Sequence, residues 1–239
     1  MKSLPNLLAM DTSSPVLSVA VKRGSETTSE TCLEGFMEHA KNLLPMIDEL
    51  LNKNALKIGD IDAFLIGRGP GSFTGLKIAF AAVKGFLAAR EKPCYGALSL
   101  DMIAARIPRE RISDLGVCLD ARREQIYGRF YRLHKGQWEP KGRPGAVAAQ
   151  DMIAKFPPGS CITGDALRRY ADVVEKHSNG HIAECYPEPY WYPRASTLIE
   201  WFGHKKTRLK RLRKPADFLP FYIRHPEPIE RKRSRGKNG

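Results

Sequence analysis

Cysteine is scarce in this chain and widely scattered. Five occur among 239 residues, at Cys32, Cys94, Cys118, Cys161 and Cys185, and none forms a CxxC pair. An odd number at such spacing favours free thiols in a reducing compartment over a disulfide framework or a zinc site. Long apolar runs are missing too. No stretch of about 18 apolar residues exists, so no segment reads as a membrane span. The first apolar run, around Leu7–Ala9, stops at Asp11 and is too short for a signal-peptide core. It reads as a first strand, and the chain is expected to be cytoplasmic with no membrane partner. The hydrolase signatures GxSxG and HExxH are absent, as is the phosphate-loop signature GxxxxGK[ST].

Acidic residues are also short, 26 against 39 Lys and Arg, for a formal charge of +13. The excess is local. His204–Lys214 carries seven bases and no acid, and Arg231–Gly239 carries five and no acid. Without those twelve, 27 bases face 26 acids, so the body is nearly neutral. Such segments either attract a polyanion through phosphate contacts or form a solvated tail, and the sequence leaves both open.

Hydrophobic patterning divides the rest into two similar halves. In the first, strand-like runs at Leu7–Met10, Leu17–Lys22 and Thr28–Leu33 are separated by turn chemistry. A helical pattern from Phe36 to Leu51 follows. Pro45 inside it predicts a kink, or a helix that starts near Asn42. Then come a strand (Ala63–Ile66), a glycine-rich loop, a helix (Phe73–Ala89), a strand (Cys94–Ala97) and a helix from Leu100. The second half repeats the order. It has strands at Leu115–Leu119, Gln125–Leu133 and near Gly145–Val147, then Asp151–Lys155 (helix), Cys161–Thr163 (strand), Ala166–Lys176 (helix), Ile182–Cys185 (strand) and Ala195–Gly203 (helix). This is an α/β fold with a duplicated β-β-β-α-β-α-β-α lobe. The expected divisions are residues 1–110, residues 111–215, and a strand-like segment with a basic tail at 216–239, disordered at its end. The first strand of each half ends on an aspartate, Asp11 and Asp120. The fourth runs into glycine, Gly67, Gly69 and Gly71 in one half and Gly164 in the other. Facing lobes would bring both sets to one cleft, at the strand ends where α/β folds bind ligands.

Two stretches carry the functional signal. GRGPGSFTG, Gly67–Gly75, fits neither nucleotide fingerprint, since Leu76 follows Gly75 and the glycines read GxGxxxG. It supplies a tight turn into a helix N-terminus at Ser72–Thr74, which is either an anion site or a close strand–helix junction. The helix it launches is almost wholly apolar, with Lys77 and Lys84 as its narrow polar stripe. A helix on one sheet face needs a broader polar side. This one must be covered twice, by its own sheet and by either the Leu43–Leu51 helix or a partner chain. An HxxxH at His177–His181 contains Asn-Gly, a turn signal, and does not read as a metal pair.

Several motifs together identify a resemblance: DTSS at Asp11–Ser14, HAKNLLPMIDELL at His39–Leu51, GPGSFTGLKIA at Gly69–Ala79, DARREQIY at Asp120–Tyr127, TGDALRRY at Thr163–Tyr170, PRAS at Pro193–Ser196 and PFYIR at Pro220–Arg224. The chain resembles the TsaB (YeaZ-like) family, accessory subunits of tRNA threonylcarbamoyladenosine synthesis. Lys77 stands where that family usually has Arg, and Ala79 where it has Gly. The resemblance implies duplicated RNase H-like lobes of the actin/sugar kinase/Hsp70 fold. It implies a non-catalytic partner of the paralog TsaD, with the TsaE ATPase in the larger complex. ATP, magnesium and metal are then expected on the partner subunits, none on this chain alone. The paralog's metal-binding HxxxH is reduced here to His39, with Leu43 four residues on. The implied partner interface comprises His39, Leu43, Ile47 and Leu50 of the first helix and Phe73, Leu76, Lys77, Phe80, Ala82 and Val83 of the second. The same apolar surface makes a homodimer plausible when the chain is alone. The residues of a vestigial nucleotide cleft are Asp11, Thr12, Ser13, Gly69, Gly71, Ser72, Asp120 and Gly164. The substrate of the complex would be tRNA, with the basic tail as a candidate contact. Alternatives within the fold are a stand-alone phosphotransferase or ATPase using Asp11 and Asp120, or a metallopeptidase, against which the single His39 argues.

Overall fold

The computed structural model describes residues 4–35, 38–110, 112–204 and 208–224. The first lobe opens with β1 (Leu7–Asp11), β2 (Val16–Lys22) and β3 (Ser29–Glu34), an antiparallel meander. Helix α1 (His39–Lys53) leads to β4 (Ala63–Gly67), α2 (Phe73–Ala89), β5 (Cys94–Ala97) and α3 (Ser99–Arg106). β4 pairs parallel to both β1 and β5. The second lobe repeats this with β6 (Asp114–Asp120), β7 (Gln125–His134), β8 (Gln137–Ala148), α4 (Ala149–Ile153), β9 (Ser160–Thr163), α5 (Leu167–His177), β10 (Ile182–Cys185) and α6 (Ala195–Trp201). A last strand, β11 (Lys210–Leu212), precedes a 3₁₀ turn at Pro215–Phe218.

Strand order makes the duplication plain. The first sheet runs β11-β5-β4-β1-β2-β3 and the second β10-β9-β6-β7-β8. Apart from β11, each lobe has the same order, three antiparallel strands continued by two parallel ones. This is the duplicated RNase H-like arrangement of the actin/sugar kinase/Hsp70 fold.

Burial explains which runs became which strands. β1 (LLAMD) and β4 (AFLIG) are central and buried along their whole length, so both faces are apolar. Edge strand β3 alternates half-buried and exposed residues. Helices α1 and α2 cover one face of the first sheet, where Leu43, Ile47, Phe80 and Val83 pack on Leu8, Met10 and Val19. On its other face lies α6, with Leu198 and Ile199 against Leu7, Ala9 and Leu65. Helix α3 does the converse and packs Leu100 and Ile103 against Leu115, Val117 and Tyr131 of the second sheet. α3 and α6 touch each other, so a shared helical layer lies between the two sheets. α4 and α5 close the far side of the second sheet.

A division at residue 110 falls between β5 and β6, but α3 packs on the second sheet, α6 packs on the first, and β11 joins the first sheet at β5. Two expectations need correction. α1 begins at His39 and runs through Pro45. Pro45 and Lys41 lie on the exposed side, so water can satisfy the carbonyl the proline leaves free. FLPFYIR forms no strand: Phe221 N donates to Arg68 O at 2.7 Å, but no ladder develops around it. The tail at Arg231–Gly239 lies outside the described residues.

Candidate functional site

The glycine loop is a close junction between β1's loop and α2. Ser72 caps α2, its Oγ accepting from Gly75 N at 3.1 Å. Ser72 N donates to Ser13 O at 2.7 Å. Thr12 Oγ1 donates to Gly75 O at 2.7 Å. A Cβ on Gly71 would sit 2.1 Å from Ser13 O, so only glycine permits this approach. In the second lobe Gly164, at φ +115°, lies equally close to Cys118 O.

The two matched aspartates hold matched turns. Asp11 Oδ1 accepts from Ser13 N at 2.8 Å and Ser13 Oγ at 2.7 Å, and its Oδ2 accepts from Ser99 Oγ at 2.9 Å. Asp120 Oδ1 accepts from Arg122 N at 2.7 Å. Each carboxylate thus closes a turn onto the amide two residues on. They differ in exposure. Asp11 is fully buried, and burial pushes its carboxyl up from the ordinary value against the bonds from Ser13 and Ser99. Asp120 is half-buried and ion-pairs with Arg122 at 3.5 Å.

A cleft of about 740 Å³ lies between the lobes. Of the eight expected cleft residues, Ser13, Gly71, Ser72 and Asp120 line it. Asp11, Thr12, Gly69 and Gly164 do not; they are buried behind it as turn geometry. Residues that sequence reasoning missed supply most of the cleft's charge: Arg122, Arg123, Arg168 and Arg169, with Asp165. Asp165 Oδ1 accepts from Asp120 N at 2.9 Å. Burial, with the Asp120 charge adding to it, pushes the Asp165 carboxyl up to about 6. Arg122, Arg123 and Glu124 are three consecutive left-handed residues, at φ +62°, +53° and +58°. A strained turn therefore presents these side chains at the rim. The arginine pairs in DARRE and ALRRY were the available signal.

The cleft is strapped by the chain's own C-terminal segment. Tyr222 packs at a tilt of 41° against Phe73 of α2, 5.1 Å between centroids. Arg224 donates to Gln125 Oε1 at 2.8 Å and to Ala121 O, and lies 5.7 Å from the Tyr127 ring. With the Phe221–Arg68 bond, the strap holds both lobes. A magnesium–nucleotide of the kind the fold family implies does not fit these residues. Asp11 is sealed away with both oxygens taken, Asp120 is spent on its turn and Arg122, and the strap forms part of the cleft wall.

The expected partner-interface residues are mostly core. His39, Leu43, Ile47, Leu50, Leu76, Phe80 and Val83 are at most 5% exposed. Phe73, Lys77 and Ala82 keep exposure. The i, i+3, i+4 stripe is the face each helix turns to its own sheet. Both ring nitrogens of His39 rest on backbone carbonyls, Gly35 O at 2.8 Å and Ser14 O at 2.9 Å. The outward side of these helices carries Leu44, 54% exposed, with Thr74, Lys77, Ala81, Lys84, Gly85 and Ala88. His177 and His181 gather no metal set: among the described residues no three His, Cys, Asp or Glu side chains do so.

A family profile described as TsaD, tRNA N6-adenosine threonylcarbamoyltransferase, matches residues 35–175. An uncharacterized protein of Mycobacterium tuberculosis is 33% identical over 226 residues, 94% of each chain. The Haemophilus influenzae "tRNA threonylcarbamoyladenosine biosynthesis protein TsaB" is 34% identical over 123 residues; the match spans 51% of this chain and about half the length of that relative (51%). The solved structure of YeaZ from Pseudomonas aeruginosa superposes with a TM-score of 0.75 at 24% identity, over 92% of this chain and 100% of that one. On these matches and the duplicated fold, the chain belongs to the TsaB (YeaZ-like) family.

Proposed function

We propose that this chain is a non-catalytic accessory subunit in tRNA threonylcarbamoyladenosine synthesis. It docks on the catalytic TsaD paralog through the outward face of α1 and α2. Transfer of the threonylcarbamoyl group to the adenosine 3′ of the anticodon then takes place on the partner. Metal, ATP and magnesium belong to TsaD and to a TsaE-type ATPase, with no cofactor on this chain alone, and the assembly works in the cytoplasm on tRNA.

The observation that carries this is Gly85. It sits inside a 17-residue helix with nothing within 4 Å of where a Cβ would be. Glycine there costs about 1 kcal/mol against alanine, and nothing inside the chain requires it. Ala81 and Ala88 flank it on the same exposed face, beside exposed Leu44 of the adjoining helix. Such a face admits a close helix–helix approach by another chain. The relatives' printed roles in tRNA threonylcarbamoyladenosine biosynthesis supply the pathway.

The test is co-purification with the TsaD paralog. Ala81→Glu and Leu44→Glu, both on exposed positions, should abolish capture while leaving the melting temperature within about 2 °C. Undiminished capture by both variants refutes the docking face. Turnover of ATP by the purified chain alone refutes the non-catalytic role and favours the stand-alone phosphotransferase.

A further inference from the structure

Of the seven bases that the sequence concentrates in His204–Lys214, the described ones, Arg208, Lys210, Arg211, Arg213 and Lys214, lie on or beside a strand of the first sheet. β11 closes the first sheet beside β5, with Lys210 opposite Gly96, Arg211 opposite Tyr95 and Leu212 opposite Cys94. Leu212 is 4% exposed and sits in the core under α2, so one apolar side chain pins the strand. Lys210, Arg211, Arg213 and Lys214 around it remain exposed. Arg208, just upstream, donates to Trp138 O of the second lobe and anchors the approach to the strand.

The exit from the strand is fixed as well. Asp217 takes an ion pair from Lys210 at 2.8 Å and accepts from the amides of Arg213 and Lys214 at 3.0 and 3.1 Å. That single acid is consumed by Lys210 and the turn. The side chains of Arg211, Arg213 and Lys214 make no ion pair among the described residues. A solvated tail would have no fixed array of charge. Here the cations stand on a strand and its capped turn, at the strand rise of about 3.3 Å per residue.

Edge strands often carry a lysine simply to discourage pairing. That role needs one charge per edge and no unbalanced field. The chain outside its two basic segments is balanced, 27 bases to 26 acids. The imbalance therefore lies in the two basic segments, and the described part of the first is this edge and its flanks. A one-signed row of cations on a fixed backbone suits a polyanion with regularly spaced charge.

We propose that the β11 edge is an RNA-binding surface that grips the phosphate backbone through Arg211, Arg213 and Lys214. The choice of RNA over other polyanions rests on the tRNA-modification role proposed above. The contacts are to phosphate, so the surface positions RNA without reading its sequence.

The experiment measures binding of an unmodified tRNA transcript to the full chain by fluorescence anisotropy over a salt series. Arg211→Gln/Arg213→Gln/Lys214→Gln should flatten the slope of log affinity against log salt by about 2–3 and weaken binding roughly 100-fold near 0.1 M salt, as expected for three lost phosphate contacts. A control removes the same charge elsewhere, at exposed Lys53, Lys155 and Lys176, and should stay within about 3-fold of the parent on the same counterion argument. Equal weakening by both triples, or parental binding by the edge triple with loss only on truncation after Arg224, overturns the proposal. So does edge-dependent binding to phosphatidylserine vesicles with none to tRNA. The edge triple should still co-purify with TsaD. Edge-dependent RNA binding without any TsaD capture would refute the accessory-subunit role and leave the RNA surface standing.

Discussion

Gly71→Ala, in the loop before α2, and Gly85→Ala, inside α2, are the same chemical change, and the structure gives them opposite signs. A Cβ on Gly71 would lie 2.1 Å from Ser13 O, far inside the 3.0 Å that real Cβ contacts respect. Both sides of that contact are backbone, so no rotamer relieves it. The loop between β1 and β2 must move away from the start of α2 by nearly 1 Å. The neighbouring bond from Ser72 N to Ser13 O, now 2.7 Å, cannot survive that displacement. Losing it costs about 1 kcal/mol net, and a buried group left unpaired adds about 1–3 kcal/mol. The stiffer unfolded chain returns less than about 1 kcal/mol. For a chain of this size each kcal/mol shifts melting by about 2–4 °C, so Gly71→Ala, at a net cost of about 1–4 kcal/mol, should melt about 2–16 °C lower. Gly85→Ala gains about 0.5–1 kcal/mol of helix stability and should melt about 1–4 °C higher. Thermal unfolding of the three proteins at one concentration decides the matter. A Gly71→Ala protein as stable as the parent would mean that the loop does not seat on Ser13. The glycines would then need another explanation, such as an anion held by the helix start.

Two further outcomes follow from the cleft. The Asp165 carboxyl is raised to about 6 from 3.8, so it stabilises the fold fully below the ordinary value, and that contribution is lost as pH rises through about 6. Asp165→Asn keeps an acceptor for Asp120 N and removes the buried charge. It should raise stability at pH 8 by up to about 3 kcal/mol, with the advantage vanishing below about pH 4; a pH-independent difference between the melting curves would contradict this. Arg224→Ala removes the bonds to Gln125 and Ala121 and the contact with Tyr127. It should speed amide exchange at Phe221–Arg224 and cost about 1–3 kcal/mol; parental exchange rates there would show that Arg224 does not hold the strap.

The sheets were legible because their strands are buried apolar runs bounded by turn residues. β10 and α2 match their expected limits, and β4 and β9 differ by one residue at an end. β8 was legible only near its end, around Gly145–Val147. Its first part, QWEPKGRPG, mixes prolines, glycines and charges, which an edge strand tolerates and a pattern search does not recognise as a strand. β11 was illegible for a related reason: KRL offers no alternation, and its pairing depends on Leu212 reaching a core built from residues 8–94. The strap is invisible in sequence because its contacts join Arg224 to Gln125, 99 residues away. The exchange of α3 and α6 between lobes is equally non-local. Side-chain periodicity reports that a helix has an apolar face, and it cannot say which sheet that face meets.

Burial divides the residues of α2 in the same way. A hydropathy reading of α2 selects Leu76, Phe80 and Val83; all three are buried, and Phe80 and Val83 pack on the helix's own sheet. What remains outside is small rather than strongly apolar: Ala81, Gly85 and Ala88. Small side chains contribute little to a hydrophobic pattern, yet they set how closely a second helix can approach. Gly85→Ala separates the two requirements. In the free chain the added methyl has open space and should stabilise α2. Against a tightly seated partner helix the same methyl takes up room at the contact, so capture by TsaD should weaken while the melting temperature rises. A substitution that improved both, or left capture untouched, would place the partner contact away from Gly85 and leave the glycine without a reason.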